Sequence, residues 1–288
     1  MPRGTVDHAQ EATPVSISVS TPTLSQPPEL RELLQMLPLP ELLTMRRILC
    51  IQPHPDDMEV AAGGTIARLV QAGALVAYVT VTDGGLGSVN PRDDRETIRL
   101  RRRREQEAAA QILGVQELRW LDFPDGGPYT EDEVRVKLLA EIRRFRPEAV
   151  ITVDPWLPYE GHPDHRKTGM AAVAAALLAA FPRAGEEAQA AEAGAATPGE
   201  RPAGVRAVIL AATAYPNAFV DVTATWETKM QAIRAHASQF PDASWPFYEG
   251  YFRAKAAQYG KGIGAERAEA FKVLTPTHLH MNPDARWM

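Results

Sequence analysis

Between residues 48 and 211 the chain alternates short apolar runs with longer stretches of helical periodicity, and this alternation restricts its fold more than any other feature. Runs at 48–51, 75–81, 117–121, 149–153 and 205–211 have the length of buried strands. Helical patterns occupy 59–72, 93–113, 131–145 and 164–181 between them, with breaks at Gly73, Gly114 and Pro147. Strands separated by helices form a mainly parallel sheet with helices on both faces. Right-handed crossovers and a Rossmann-like order 3-2-1-4-5 are the simplest closure. The expected architecture is therefore an α/β three-layer sandwich. A single domain is expected over 29–288, behind a flexible tail at 1–28 whose polar, Pro-rich composition cannot build a core. Leu30, Leu33, Leu34 and Leu37 have helical spacing and are expected to dock on that domain. The Ala, Gly, Glu and Pro at 183–204 read as a low-complexity surface insertion. After Asp221 the alternation fades into a helix at 226–238 and an aromatic-rich loop at 240–259.

In that order strands one and four are neighbours, and open α/β sheets bind ligands at the carboxyl ends of strands where the order reverses. Pro53-His54-Pro55-Asp56-Asp57-Met58-Glu59 follows the first strand, and Gly161-His162-Pro163-Asp164-His165 follows the fourth. One His-Pro-Asp could merely cap the next helix. Two of them, at strand-to-helix junctions on adjacent strands, point to a site. Catalytic zinc takes three nitrogen or oxygen ligands and leaves one position open. His54, Asp57 and His165 can supply the three. Asp56, Asp164 and His162 remain for proton transfer and oxyanion stabilisation.

Composition removes several alternatives. A single cysteine, Cys50, excludes intrachain disulfides and Cys-rich zinc sites, and its strand position predicts burial. Net charge is −5, with 31 basic and 36 acidic residues, which argues against a nucleic-acid partner. Arg99 and Arg101 to Arg104 fall among acidic residues and spread around a helix, so a salt-bridged helix with one arginine turned toward the site is expected. The longest apolar run covers twelve residues, 170–181, whereas a membrane span needs about twenty. With no apolar signal segment visible, the chain reads as cytoplasmic. The aromatic segment 240–259 is either core beneath a loop or a lid or subunit interface, which leaves homo-oligomerisation open. His236 suits a core or supporting role. His278 and His280 would share a face if extended, but terminal histidines are more often structural than ligating.

The two motifs resemble those of the LmbE-like (PIG-L) family of zinc-dependent N-acetylglucosaminyl deacetylases. Further matching stretches are Thr82-Asp83-Gly84, Arg102 to Gly114, Pro124-Asp125-Gly126, Lys229 with His236-Ala237-Ser238-Gln239, and Glu269-Ala270-Phe271. The similarity covers about 46–275. It implies release of acetate from an N-acetylglucosamine-type sugar or conjugate, with one Zn2+ per chain on His54, Asp57 and His165. Asp56 would be the general base. His162, oriented by Asp164, would stabilise the oxyanion or protonate the amine. Arg102 and Asp125 would contact the sugar. Met58 separates Asp57 from Glu59, where many members have none, so the similarity assigns Glu59 no role. The competing readings are a two-metal phosphoesterase and a non-catalytic sugar-binding protein.

Overall fold

The computed structural model describes residues 36–185, 202–281 and 285. The expected tail, Leu30, Leu33, Leu34 and positions 186–201 of the insertion lie outside the described residues. Five strands occupy the apolar runs: β1 (Arg47–Gln52), β2 (Leu75–Thr82), β3 (Glu117–Phe123), β4 (Ala149–Val153) and β5 (Ala207–Ala211). They pair in parallel in the expected order.

The sheet then continues past β5. Strands β6 (Ala218–Asp221) and β7 (Ala268–Leu274) extend it to β3-β2-β1-β4-β5-β7-β6. β7 runs antiparallel to both β5 and β6. The sheet is therefore mixed and seven-stranded: the parallel order 3-2-1-4-5 stands, and the expectation that the sheet ends at five strands is corrected. Both added strands lack an apolar run. β6 is four residues long, and β7 carries Glu269 and Lys272, which are buried.

The helices are α1 (Asp57–Gln71), α2 (Arg95–Leu113), α3 (Glu131–Phe145), α4 (Pro163–Leu178), α5 (Trp226–Ala235), α6 (Trp245–Lys261) and α7 (Pro276–Met281). Their ends follow local chemistry. Asp94 caps α2 through the Thr97 amide, and Gly114 closes it at φ 77°. Thr130 and Glu133 form a reciprocal capping box on α3. Alternate residues of each strand feed opposite cores. Ile48 and Cys50 pack with α1, α2, α5 and α6; Leu49 and Ile51 pack with α3 and α4.

The aromatic segment expected as a loop contains α6. Pro246, Gly250 and Gly260 lower its helix propensity, which disguises the pattern. Trp245, Tyr248, Phe252 and Ala256 nevertheless recur at helical spacing and pack against the core beside Phe240. His278 and His280 are also helical, on α7, and not extended. His278 is buried; its Nδ1 accepts from the Thr275 amide at 2.9 Å, which gives it a structural role. Among the described residues no helix is long and apolar enough to cross a membrane.

Candidate active site

β1 and β4 end side by side, and each hands the chain to a helix at the same rim of the sheet. The turn after β1 carries His54 to Asp57, with α1 beginning at Asp57. The loop after β4 ends at His162, the N-cap of α4, with Pro163 in its first turn. Gly169 allows α4 to lie close to the end of β4. A Cβ there would meet the Val153 carbonyl oxygen at 2.8 Å.

This brings the two motifs together. Ligand atoms of His54, Asp57 and His165 all lie within 4.8 Å of one another. His54 Nδ1 is 3.4 Å from Asp57 Oδ2, and His165 Nε2 is 3.5 Å from Asp57 Oδ1. Two ligands about 2.1 Å from a tetrahedral ion stand about 3.4 Å apart, so the spacing suits one ion. The far side of each imidazole meets carboxylate. His54 Nε2 faces Asp125 at 3.2 Å and Asp164 at 3.3 Å, while His165 Nδ1 faces Glu160 at 3.1 Å. Metal-binding histidines are usually oriented in this way through their second nitrogen, which turns the other lone pair toward the ion. The cluster also favours positive charge. Burial alone would lower the pKa of His54, but Asp125, Asp164 and Asp57 raise it well above the usual histidine value.

A second grouping, His54, Asp125, His162 and Asp164, has metal-like spacing. Its carboxylates are already engaged. Asp125 accepts from the Leu86 amide at 3.1 Å, and Asp164 accepts from the Gly126 amide at 2.8 Å. Both hold His54 Nε2, so this grouping supports the first one.

Asp56 stands beside the three ligand candidates. Burial is the main cause that lifts its carboxyl to about 6; Arg102 opposes the rise and Asp57 adds to it. Asp57 is drawn down to about 2, because His54 and His165 outweigh a burial effect that would raise it. Arg102 is the arginine that α2 turns inward. Its Nη2 lies 3.3 Å from Asp56 Oδ2, and its residue exposure is 4%. Arg99 and Arg101 pair with Glu96 and Asp93, and Arg103 pairs with Asp122, as expected of a salt-bridged helix.

Asp164 differs from its expected role. Its carboxylate orients His54, and only its backbone amide reaches His162, donating to Nδ1 at 3.3 Å. With Nδ1 accepting, neutral His162 carries its proton on Nε2. Asp164 pulls the pKa of His162 upward as expected, but it does not decide the direction. Burial and the neighbouring His54 and His165 lower it, against a smaller upward pull from Asp164. Asp125, matched to a sugar-contacting loop, is 4% exposed and directed at His54. Met58 fills the core, and Glu59 turns away from the cluster to accept from Gln106 at 3.0 Å. Glu160 and Gln106 escaped the sequence reading, although Gln106 lies one helical turn beyond Arg102, on the same inward face.

If Asp164 orients a metal ligand, Asp164→Asn should weaken divalent-metal affinity by about 10–100-fold. Competition with a chromogenic chelator measures this. An affinity within twofold of wild type would remove Asp164 from the support of His54.

The family profile described as GlcNAc-PI de-N-acetylase (PIG-L) matches residues 49–176, the span from β1 through most of α4. Over 242 residues the chain is 40% identical to the diacetylchitobiose deacetylase of Thermococcus kodakarensis, an alignment that covers 84% of this chain and 88% of that protein. It is 33% identical over 204 residues to a probable N-acetyl-alpha-D-glucosaminyl L-malate deacetylase 2 of Bacillus cereus, across 67% of this chain and 84% of the other. Among solved structures, the N,N'-diacetylchitobiose deacetylase from Pyrococcus horikoshii, held with an inhibitor, superposes with a TM-score of 0.79 at 36% identity, covering 88% of this chain and 93% of that one.

Proposed function

Because the chain belongs to the PIG-L family of deacetylases, we propose that it hydrolyses the acetamide of an N-acetylglucosamine-type sugar or conjugate, releasing acetate and the free amine. The enzyme class, a hydrolase of amide C–N bonds, follows from membership. The observation that carries the residue assignment is the convergence of His54, Asp57 and His165, with Asp56 adjoining Asp57 in the chain and its carboxylate 3.3 Å from Arg102.

Those three side chains would hold one divalent ion, and zinc is the metal that a two-imidazole, one-carboxylate set suits best. When bound, such an ion supplies Lewis acidity toward the acetyl carbonyl and the attacking water. Asp56 accepts the proton of that water as its oxygen adds to the carbonyl carbon. His162, with Nδ1 occupied by the Asp164 amide, offers its Nε2–H to the developing oxyanion. Collapse breaks the C–N bond. The amine leaves with a proton returned by Asp56 or His162, and acetate remains. In this reading Arg102 borders the sugar and holds the Asp56 carboxylate, while Asp125, expected at the sugar, stays on His54.

The purified chain should contain about one zinc-type ion. Chelation should abolish acetate release from N-acetylglucosamine conjugates, and added divalent metal should restore it. Elemental analysis beside a coupled acetate assay checks both. Two ions per chain with phosphoesterase activity would replace the proposal, and full deacetylase activity in metal-free protein would remove the ligand assignment. A panel containing diacetylchitobiose and the inositol and malate conjugates of N-acetylglucosamine identifies the aglycone. We place the chain in the cytoplasm, acting on a small molecule and not on nucleic acid.

A further inference from the structure

α2 presents Ile98, Arg102 and Gln106 to the interior at successive turns. Gln106 is fully buried, and its amide is used from both ends. Oε1 accepts from Gln52 Nε2 at 2.8 Å and from the Asp56 amide at 3.2 Å; Nε2 donates to Glu59 Oε1 at 3.0 Å. One turn earlier, Arg102 Nη2 donates to the Pro55 carbonyl at 2.6 Å. The Pro55 carbonyl and the Asp56 N–H belong to one rigid peptide plane, and in a trans unit they point in opposite directions. Arg102 and Gln106 therefore grip the two polar ends of the same plane.

That plane leads into Asp56, whose φ is 102°. A non-glycine residue there is strained and persists only when its surroundings impose it. We propose that Gln106 is a positioning residue for amide hydrolysis: with Arg102 it clamps the Pro55–Asp56 peptide and so fixes the direction of the Asp56 carboxylate beside the ligand cluster. The proposal rests on the reading of Asp56 as the base.

Glu59 makes the clamp directional. Glu59 Oε1 accepts from Nε2 of Gln106, which leaves Gln106 Oε1 for the Asp56 N–H. A flipped amide would set two donors against each other. Gln52 reinforces the choice. It donates to Gln106 Oε1 and Thr80 Oγ1 and accepts from the Met58 amide at 3.0 Å. His236 Nε2 lies 3.4 Å from Glu59 Oε2. This connects His236, the buried residue of the His236-Ala237-Ser238-Gln239 motif, to the clamp through Glu59.

The test is Gln106→Met, made alone and in an Asp56→Asn background. Methionine keeps the length of the side chain and removes both hydrogen-bonding ends. A misplacement of about 1 Å can cost about 10²-fold in rate. The single variant should therefore lose about 10–100-fold in kcat, with KM and metal content near wild type. Because Gln106 acts through Asp56, the loss should shrink to within about threefold when Asp56 is already Asn. Equal losses in both backgrounds, or a loss that tracks missing metal, would overturn the proposal. The swap Glu59→Gln with Gln106→Glu keeps net charge and keeps an acceptor toward the Asp56 N–H. It should recover kcat to within a few-fold of wild type. A folded swap as impaired as Gln106→Met would also overturn the clamp. Wild-type kcat in Asp56→Asn itself would instead sink the reading of Asp56 as base, so the two failures are distinguishable.

Discussion

Asp56→Asn should retain its divalent metal and lose about 10²–10⁴-fold in kcat, the range usual for a general acid–base group, whereas Asp57→Asn should lose the metal. The two side chains are adjacent in sequence but face different partners. Asp57 spans the imidazoles, 3.4 Å from His54 and 3.5 Å from His165, and its Oδ2 is held by the His54 amide at 2.9 Å. Asparagine there replaces an anionic ligand with a neutral one. Asp56 lies against Arg102 and sits before the first turn of α1. On the proposed roles, its substitution leaves the ligand set complete and removes the proton acceptor together with its charge toward Arg102. Neither change alters side-chain volume appreciably, so misfolding is a poor competing explanation. Metal content and kcat, measured on the same preparations, decide the matter. Metal loss confined to Asp56→Asn would exchange the two roles.

Lys229→Met is expected to be the most damaging single change outside the site, lowering stability by about 3–5 kcal/mol because it strands a buried carboxylate. Lys229 Nζ lies 2.6 Å from Glu269 Oε1, and the two residues are 5% and 4% exposed. Glu269 also receives the Gly64 and Thr65 amides at 2.9 and 2.8 Å, and Lys229 donates to the Val60 carbonyl at 2.8 Å. The pair thus fastens α5 and β7 to the middle of α1. At roughly 2–4 °C per kcal/mol for a domain of this size, Tm should fall by about 6–20 °C. Thermal unfolding followed by circular dichroism measures it. A shift under 2 °C would mean that Glu269 finds another partner. Glu269→Gln added to Lys229→Met should recover part of the loss, since the amide carries no charge to strand.

The sequence disclosed the parallel half of the sheet because each of those strands is a run of apolar residues bounded by helix signals. β7 was hidden by Glu269 and Lys272, both buried, with Glu269 paired to Lys229 in a contact that no local pattern announces. α6 was hidden by Pro246, Gly250 and Gly260, although its aromatic residues carried the spacing of one packed helix face. At the site, the meeting of His54, Asp57 and His165 was legible, since chemistry restricts which residue types could bind metal. The roles behind them were not. Asp164 and Asp125 both turn to His54, and this depends on the height at which the loops after β3 and β4 cross the rim. Gln106 looks like an ordinary polar helix residue until the peptide plane it grips is seen.

The position of β7 between β5 and β6 bears on how the protein is made. Ribosomes deliver the chain from the N-terminus, and the first five strands can pair in the order of their synthesis. The outer edge of β5, however, waits for residues 268–274, and β6 joins the sheet only through the same strand. Until then a nascent chain exposes a row of unpaired backbone groups, the kind of edge that recruits foreign strands. The carboxylate that secures the middle of α1 arrives on that strand too, 205 positions after the Gly64 amide it binds. The helix that starts at Asp57 is thus fastened last at its centre. Slow or interrupted translation beyond β5 is the stage at which such a chain is most exposed to aggregation.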